Sequence, residues 1–315
     1  MYEIRVYLWL NWFVPPGVSV VITTYNRSRL LPRAIESARN AGSDLEVVVV
    51  DDCSSDDTAE VCAQIPNIRY VRLTANRGLA NARNVGIAES SSEFIAFLDD
   101  DDLRLPGSLD KQLRAIGGDQ RIAMCYGQAL IGDARRQLPT GEIYPLSCPH
   151  GDIFWDLLEN NFIPVPAVLA RKSSLVDAGC FNTDLDLIED WDMWLRLSER
   201  YLVAAVIEPV AIYRKAVAES GQMCSNSAAL CKQALRVQQM ALDRPRARES
   251  SGTMRRHVRR KFRDRAYEIL MTEATNSIHE GNAKSARANI LDAFRFRPFR
   301  TVVSGRLLWL LSGLR

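Results

Sequence analysis

Residues 94–106 read F-I-A-F-L-D-D-D-D-L-R-L-P. The apolar run is strand length rather than helix length, and it passes directly into four carboxylates. The same grammar recurs upstream. Val18 to Thr23 is a short β-branched run followed by Thr24-Tyr25-Asn26, and Leu45 to Val50 is a run that is apolar but for Glu46 and ends at Asp51-Asp52. Ile68 to Leu73 reads as a further strand. Between them the spacing predicts helices over Leu30 to Ala41, stopped by Gly42, and over Leu79 to Ala88. A third starts at Ser54-Ser55-Asp56-Asp57-Thr58, which is N-cap chemistry. Continuously apolar strands suit a parallel sheet covered on both faces. The alternation predicts right-handed βαβ units in an open α/β sheet. The acidic and polar clusters then fall at the carboxyl ends of the strands, where such sheets bind ligands. Neither G-x-G-x-x-G nor a Walker P-loop is present, which counts against dinucleotide and P-loop nucleotide chemistry.

Downstream the pattern loosens. Pro139, Pro145, Pro149, Pro164 and Pro166 punctuate a stretch expected to be loop-rich over the working edge of the sheet. Val168 to Ala170 reads as a strand, Ser173 to Ala178 as a short helix closed by Gly179, and Glu189 to Glu199 as a helix. From about residue 226 onward the chain turns helical. Tyr267, Leu270, Met271, Ala274 and Ile278, then Ala286, Ile290, Leu291 and Phe294, describe one helical hairpin about Gly281-Asn282. The expected division is residues 1–225 and a basic helical appendage, 226–315.

Hydrophobic residues at 47% and charged residues at 25% describe an ordinary globular protein and exclude wholesale disorder, collagen and a disulfide scaffold. The net charge of +2 hides an asymmetry. Residues 1–231 hold 21 basic and 31 acidic side chains, net −10; residues 232–315 hold 19 and 7, net +12. The seven cysteines fit no common zinc spacing and read as reduced, mostly buried thiols. Glu3 and Arg5 interrupt the apolar start, so a signal peptide is not expected, and no run is long enough to span a bilayer.

Four adjacent carboxylates repel one another, and nothing adjacent in sequence neutralises them. Two readings follow: a solvated acidic turn, or a D-x-D that holds Mg²⁺ or Mn²⁺ together with a diphosphate. Mg²⁺ needs only one or two protein carboxylates when substrate phosphates and water complete its shell.

Five segments stand in one order: V-S-V-V-I-T-T-Y-N-R (18–27), V-V-D-D-C-S-S-D-D-T (49–58), N-R-G-L-A-N-A-R-N-V-G-I (76–87), residues 94–106, and I-E-D-W-D-M-W-L-R-L (188–197). Together they resemble the inverting family 2 nucleotide-sugar glycosyltransferases, over about residues 17–215. The resemblance implies a GT-A-type α/β fold, an open mostly parallel sheet flanked by helices, here with a C-terminal helical appendage. By the same resemblance, Thr23 and Tyr25 line the nucleotide pocket, Asp52 accepts from the base, and Asp51 supports that loop. Arg83 sits near the base or phosphates, with a helix-surface salt bridge as its alternative. Asp99 and Asp101 form the D-x-D that binds Mg²⁺ or Mn²⁺, Asp99 also serving the ribose, with Asp100 at the variable position. Asp190 is the implied general base, against the alternative that Glu189 and Asp190 only favour a helix N-terminus. Trp191 and Trp194 are expected in the core, one of them lining the acceptor site in the alternative. Relatives often carry a histidine after Tyr-Arg; here Lys215 and Ala216 follow, so diphosphate contacts pass to Arg214 or Lys215.

The implied partners are a UDP-, GDP- or dTDP-linked sugar donor and a glycan or lipid-linked acceptor. The basic tail, ending G-R-L-L-W-L-L-S-G-L-R, suits an anionic membrane surface or packing on the catalytic part. Nucleic acid is not an expected partner. The expected location is cytoplasmic, peripheral on the membrane's cytoplasmic face. Two rivals remain open at this stage: a nucleotidyltransferase of similar sheet, and a catalytically silent sugar-nucleotide-binding or scaffold protein.

Overall fold

The computed structural model describes residues 17–133, 138–214, 227–298 and 300. In chain order the first half runs β1 (Val18–Thr24), α1 (Leu31–Arg39), β2 (Leu45–Asp51), α2 (Thr58–Gln64), β3 (Arg69–Arg72), α3 (Leu79–Glu89), β4 (Phe94–Asp99), β5 (Leu103–Arg104), α4 (Ser108–Ile116) and β6 (Ile122–Gly132). Then follow β7 (Pro139–Tyr144), α5 (Phe154–Glu159), β8 (Val168–Arg171), α6 (Lys172–Asp177), α7 (Glu189–Arg200) and β9 (Leu202–Arg214). Four helices follow among the described residues: α8 (Ser227–Leu242), α9 (Pro245–Arg248), α10 (Gly252–His279) and α11 (Ala283–Phe296).

The sheet order is β3-β2-β1-β4-β8-β6-β9-β5, with β7 pairing β6. The four strands β3-β2-β1-β4 are parallel, as expected. Beyond them β8 is antiparallel to both its neighbours, whereas β6 and β9 run parallel to each other. All seven residues of β1 are buried. Val20 and Ile22 join the cluster on the α1 side and Val21 the cluster on the α3 side, the alternation of a strand covered on both faces. On the α3 side the approach is close: a Cβ on Gly86 would lie 2.2 Å from Val21 Cγ1.

The chain leaves β1 in one direction for β2 and β3, then returns to the other side of β1 for β4. That reversal opens a crevice at the carboxyl ends of β1 and β4. Register aligns Thr24 with Asp51 and Thr23 with Asp99, so three of the sequence motifs end level at one edge.

The proline-punctuated stretch is more ordered than its composition suggests, since it contains β7 and α5. The helical segment is not set apart from the sheet. Val237, Val258, Phe262 and Leu270 belong to the same apolar cluster as Phe97, Trp191 and Trp194. The Phe262 ring stacks on Trp191 at 5.9 Å between centroids. The hairpin about Gly281-Asn282 is present as α10 and α11, with the Asn282 side chain accepting from Ser285 N. No helix among the described residues is long and apolar enough to cross a membrane. The six described cysteines are unpaired; Cys224 and the apolar termini lie outside the described residues.

Candidate active site

At the carboxyl ends of β1, β2 and β4 lies a cavity of about 450 Å³. Of the residues singled out by sequence, Thr23, Tyr25, Asp52, Asp99, Asp100 and Asp101 line it. Its walls are completed by residues that were given no role, among them Arg27, Asn76, Leu79 and Tyr213.

Asp51 does not line the cavity. It is fully buried, with Oδ1 accepting from Ser54 N at 2.8 Å and Oδ2 from the Tyr70 hydroxyl at 2.6 Å, so it folds the loop after β2. Cys53 takes a left-handed φ of +68° within that loop. Asp52 accepts from the N–H groups of Arg77 and Gly78, both at 2.8 Å. It thereby pins the loop entering α3, where Gly78 adopts φ +85°.

Three of the four aspartates at the end of β4 are paired with arginines, but from a distance in sequence. Asp99 Oδ1 accepts from Arg83 Nη2 at 2.8 Å and from Thr23 Oγ1 at 3.3 Å. Arg27 bridges Asp100 and Asp101 at 2.9 and 2.8 Å, and Arg214 Nη2 reaches Asp101 at 2.6 Å. The Arg214 N–H donates to Asp102 Oδ1 at 2.8 Å, and the buried Asp102 Oδ2 has no partner among the described residues. Burial pushes the Asp100 carboxyl up to about 7, against the lowering effect of Arg27. Burial, with Asp101 beside it, also raises Asp102 well above the usual carboxylate range. The solvated-turn reading is corrected here: Asp100, Asp101 and Asp102 are each at most 3% exposed.

Arg83 is corrected from its helix-surface alternative, being 2% exposed. It does not line the cavity. Its guanidinium spans from Asp99 to the buried Glu189 at the start of α7. Ile188 precedes that helix at φ +55°, ψ +28°, a left-handed geometry costing a β-branched residue about 1–3 kcal/mol. From this turn Glu189 meets Arg83. Asp190 Oδ1 accepts from Trp191 N at 2.6 Å and Oδ2 from Asn161 Nδ2 at 3.2 Å. Burial raises the pKa of Asp190 and carries that of Glu189 up to about 7, with Arg83 opposing both.

Asp190 does not line the cavity; it is Glu189, the residue before it, that Arg83 joins to Asp99 on the cavity wall. Arg214, an expected diphosphate contact, is engaged by Asp101 and does not line the cavity; Lys215 lies outside the described residues. Trp191 and Trp194 are core residues, the Trp191 indole N–H donating to Leu157 O at 2.8 Å. This corrects the alternative of a tryptophan sugar platform. Sequence reasoning missed Asn161, which stands in the proline-punctuated stretch without a local signal. It also gave Arg27 no role, although Arg27 closes the first motif.

The donor set suits a hard cation only in part. Asp99 and Asp101 are two carboxylates on one cavity, the number Mg²⁺ or Mn²⁺ takes when phosphates supply the rest. No group of three or more ligating side chains exists among the described residues, and two guanidinium groups already hold Asp101. The residues fit a cation that arrives with a diphosphate rather than an all-protein metal centre.

A parallel half-sheet with an acid-lined crevice at its switch point, continued by a mixed half, defines the GT-A class of fold. S. aureus TarS residues 1–349 in complex with UDP-GlcNAc superposes with a TM-score of 0.61 at 18% identity, over 94% of this chain and 86% of that one. The mannosyltransferase PcManGT from Pyrobaculum calidifontis, in complex with GDP-Man and Mn²⁺, gives 0.57 at 17% identity, over 96% and 87%. Residues 19–175 match Glycosyl transferase family 2, and the chain belongs to that family. An uncharacterized glycosyltransferase of Haemophilus influenzae is 29% identical over 184 residues, 57% of this chain. The chain spans 61% of that relative's length, and 28% and 32% of two other curated relatives.

Proposed function

We propose that the protein is a metal-assisted, inverting glycosyltransferase. It moves a sugar from a nucleoside-diphosphate donor to a hydroxyl of a glycan or lipid-linked acceptor. The observation that carries this reading is the Arg83 bridge, which ties the acid-lined cavity to the start of α7, where Asp190 stands.

In this reading Thr23 and Tyr25 flank the nucleotide. Asp52, fixed by two backbone N–H groups, keeps acceptor lone pairs for a base N–H, since each carboxylate oxygen can accept twice. Asp99 and Asp101 hold Mg²⁺ or Mn²⁺, which would offset charge on the departing diphosphate. Arg27 and Arg214 orient Asp101, and Arg214 and Lys215 are the proposed diphosphate contacts. Asp190 takes the proton of the acceptor hydroxyl as its oxygen attacks the anomeric carbon from the face opposite the nucleotide. Asn161 holds the other oxygen of Asp190 in place. Residues up to about 225 form the catalytic part, and the helices beyond it brace α7. The protein works at the cytoplasmic face of the membrane.

The test is a panel of UDP-, GDP- and dTDP-sugars with Mg²⁺ or Mn²⁺, read by thermal shift and by product. Nucleoside diphosphate release supports the proposal. Pyrophosphate release would point to a nucleotidyltransferase, and binding without turnover to a scaffold.

A further inference from the structure

We infer that the outer face of α10 over residues 255–265, with the last turns of α11, docks on an anionic lipid bilayer. The inference rests on the function proposed above, because it supplies the surface on which a lipid-linked acceptor would lie. The segment reads R-R-H-V-R-R-K-F-R-D-R, seven basic side chains and one acid. The acid, Asp264, is taken by Arg297 and Arg300 at 2.7 and 3.2 Å. Among the described residues none of the seven pairs with a carboxylate. Val258 and Phe262 are buried, so the helix is anchored by its apolar line and its cations are left outside. Arg255, Arg259 and Arg263 are spaced i, i+4, an arrangement that destabilises a helix by itself. Such a band is favourable when an anionic surface lies opposite.

The neighbouring side chains select the kind of surface. Phe296 packs on Phe262 at 6.3 Å and Arg297 Nη2 donates to Arg260 O at 3.1 Å, which brings the end of α11 to the band. There Leu291 is 61% exposed and Phe294 48%, one turn apart. The chain goes on for fifteen residues from Arg300, which itself rests against Asp264 and Glu268 of α10. Cations beside exposed apolar side chains match headgroup charge together with acyl chain. A nucleic-acid backbone would use the cations and leave Leu291 without a role. On its inner side the same helix stacks on Trp191, the residue after Asp190.

The full chain is floated with phosphatidylcholine vesicles with and without phosphatidylglycerol. Binding is expected only with phosphatidylglycerol, and should weaken as salt rises. Arg256→Gln, Arg260→Gln and Arg263→Gln together should lower partitioning on the order of a hundredfold, about fivefold for each cation. Leu291→Ser with Phe294→Ser should also lower it, with unchanged melting temperature. Equal binding to neutral vesicles, wild-type binding by the triple variant, or displacement from vesicles by duplex DNA overturns the inference. A donor thermal shift on the same preparation separates the two claims. Vesicle binding without any donor response leaves the surface standing and removes the function; donor response without vesicle binding does the reverse.

Discussion

Arg83 Nη2 donates to Asp99 Oδ1 at 2.8 Å, and the same guanidinium reaches Glu189. One buried cation thus joins the strand that ends in the D-x-D to the helix that opens with E-D-W, from positions 16 and 106 residues away. Its planar fork serves two carboxylates at once, which a lysine ammonium cannot do with the same geometry.

Arg83→Met should therefore cost about 3–5 kcal/mol of stability, because it strands buried carboxylates without their counter-ion. Arg83→Lys should recover only part of this. Urea denaturation midpoints measure both, and a wild-type midpoint for Arg83→Met would show that the bridge contributes nothing.

Replacing Asp190 with Asn keeps the shape and removes the proton acceptor. Sugar transfer should fall by about 10²–10⁴-fold in kcat, the usual contribution of a general base, while donor KM stays near wild type. Undiminished turnover would remove Asp190 from the role.

The pH dependence follows from the raised pKa values of Glu189 and Asp190. Asp190 must be ionised to accept a proton, so kcat/KM should climb as pH rises through an apparent pKa that belongs to the pair. That limb should vanish in Asp190→Asn. The folded state favours the neutral acid of Glu189, whose pKa is raised from 4.5 to about 7. Its contribution to stability is complete below 4.5 and is lost as pH rises through about 7. Comparing wild type with Glu189→Gln across this window by denaturation isolates it.

Because two guanidinium groups already hold Asp101, Mn²⁺ alone should shift the melting temperature little. Mn²⁺ with a nucleoside diphosphate should shift it more than the two separate shifts combined, and EDTA should abolish the excess. A full shift with metal alone would indicate a preformed centre.

Trp191 and Phe262 test the union of sheet and helices. Phe262→Ala should destabilise the whole chain by about 3–5 kcal/mol, with one cooperative transition. A separate early transition for the helical segment would show that it folds apart.

The strands that build the cavity were legible because they are covered on both faces and therefore read as short, mostly apolar and β-branched runs. β6 and β9 were not. β6 carries Gly127, where a Cβ would meet Val210 Cγ2 at 2.7 Å, and β9 carries Pro209. Both residues weaken a strand pattern, and the pair tolerates them through register shifts about Gly127 and Gln128.

The sequence by itself determined the α/β order, the carboxylates at the strand ends and the basic helical end. Each is a property of neighbouring residues, set by periodicity or by charge density. Only the tertiary structure decided how those carboxylates are neutralised. Arg27, Arg83 and Arg214 reach Asp100, Asp99 and Asp101 across 73, 16 and 113 residues. Pairing in a buried site depends on distance in space, and no local pattern encodes that distance.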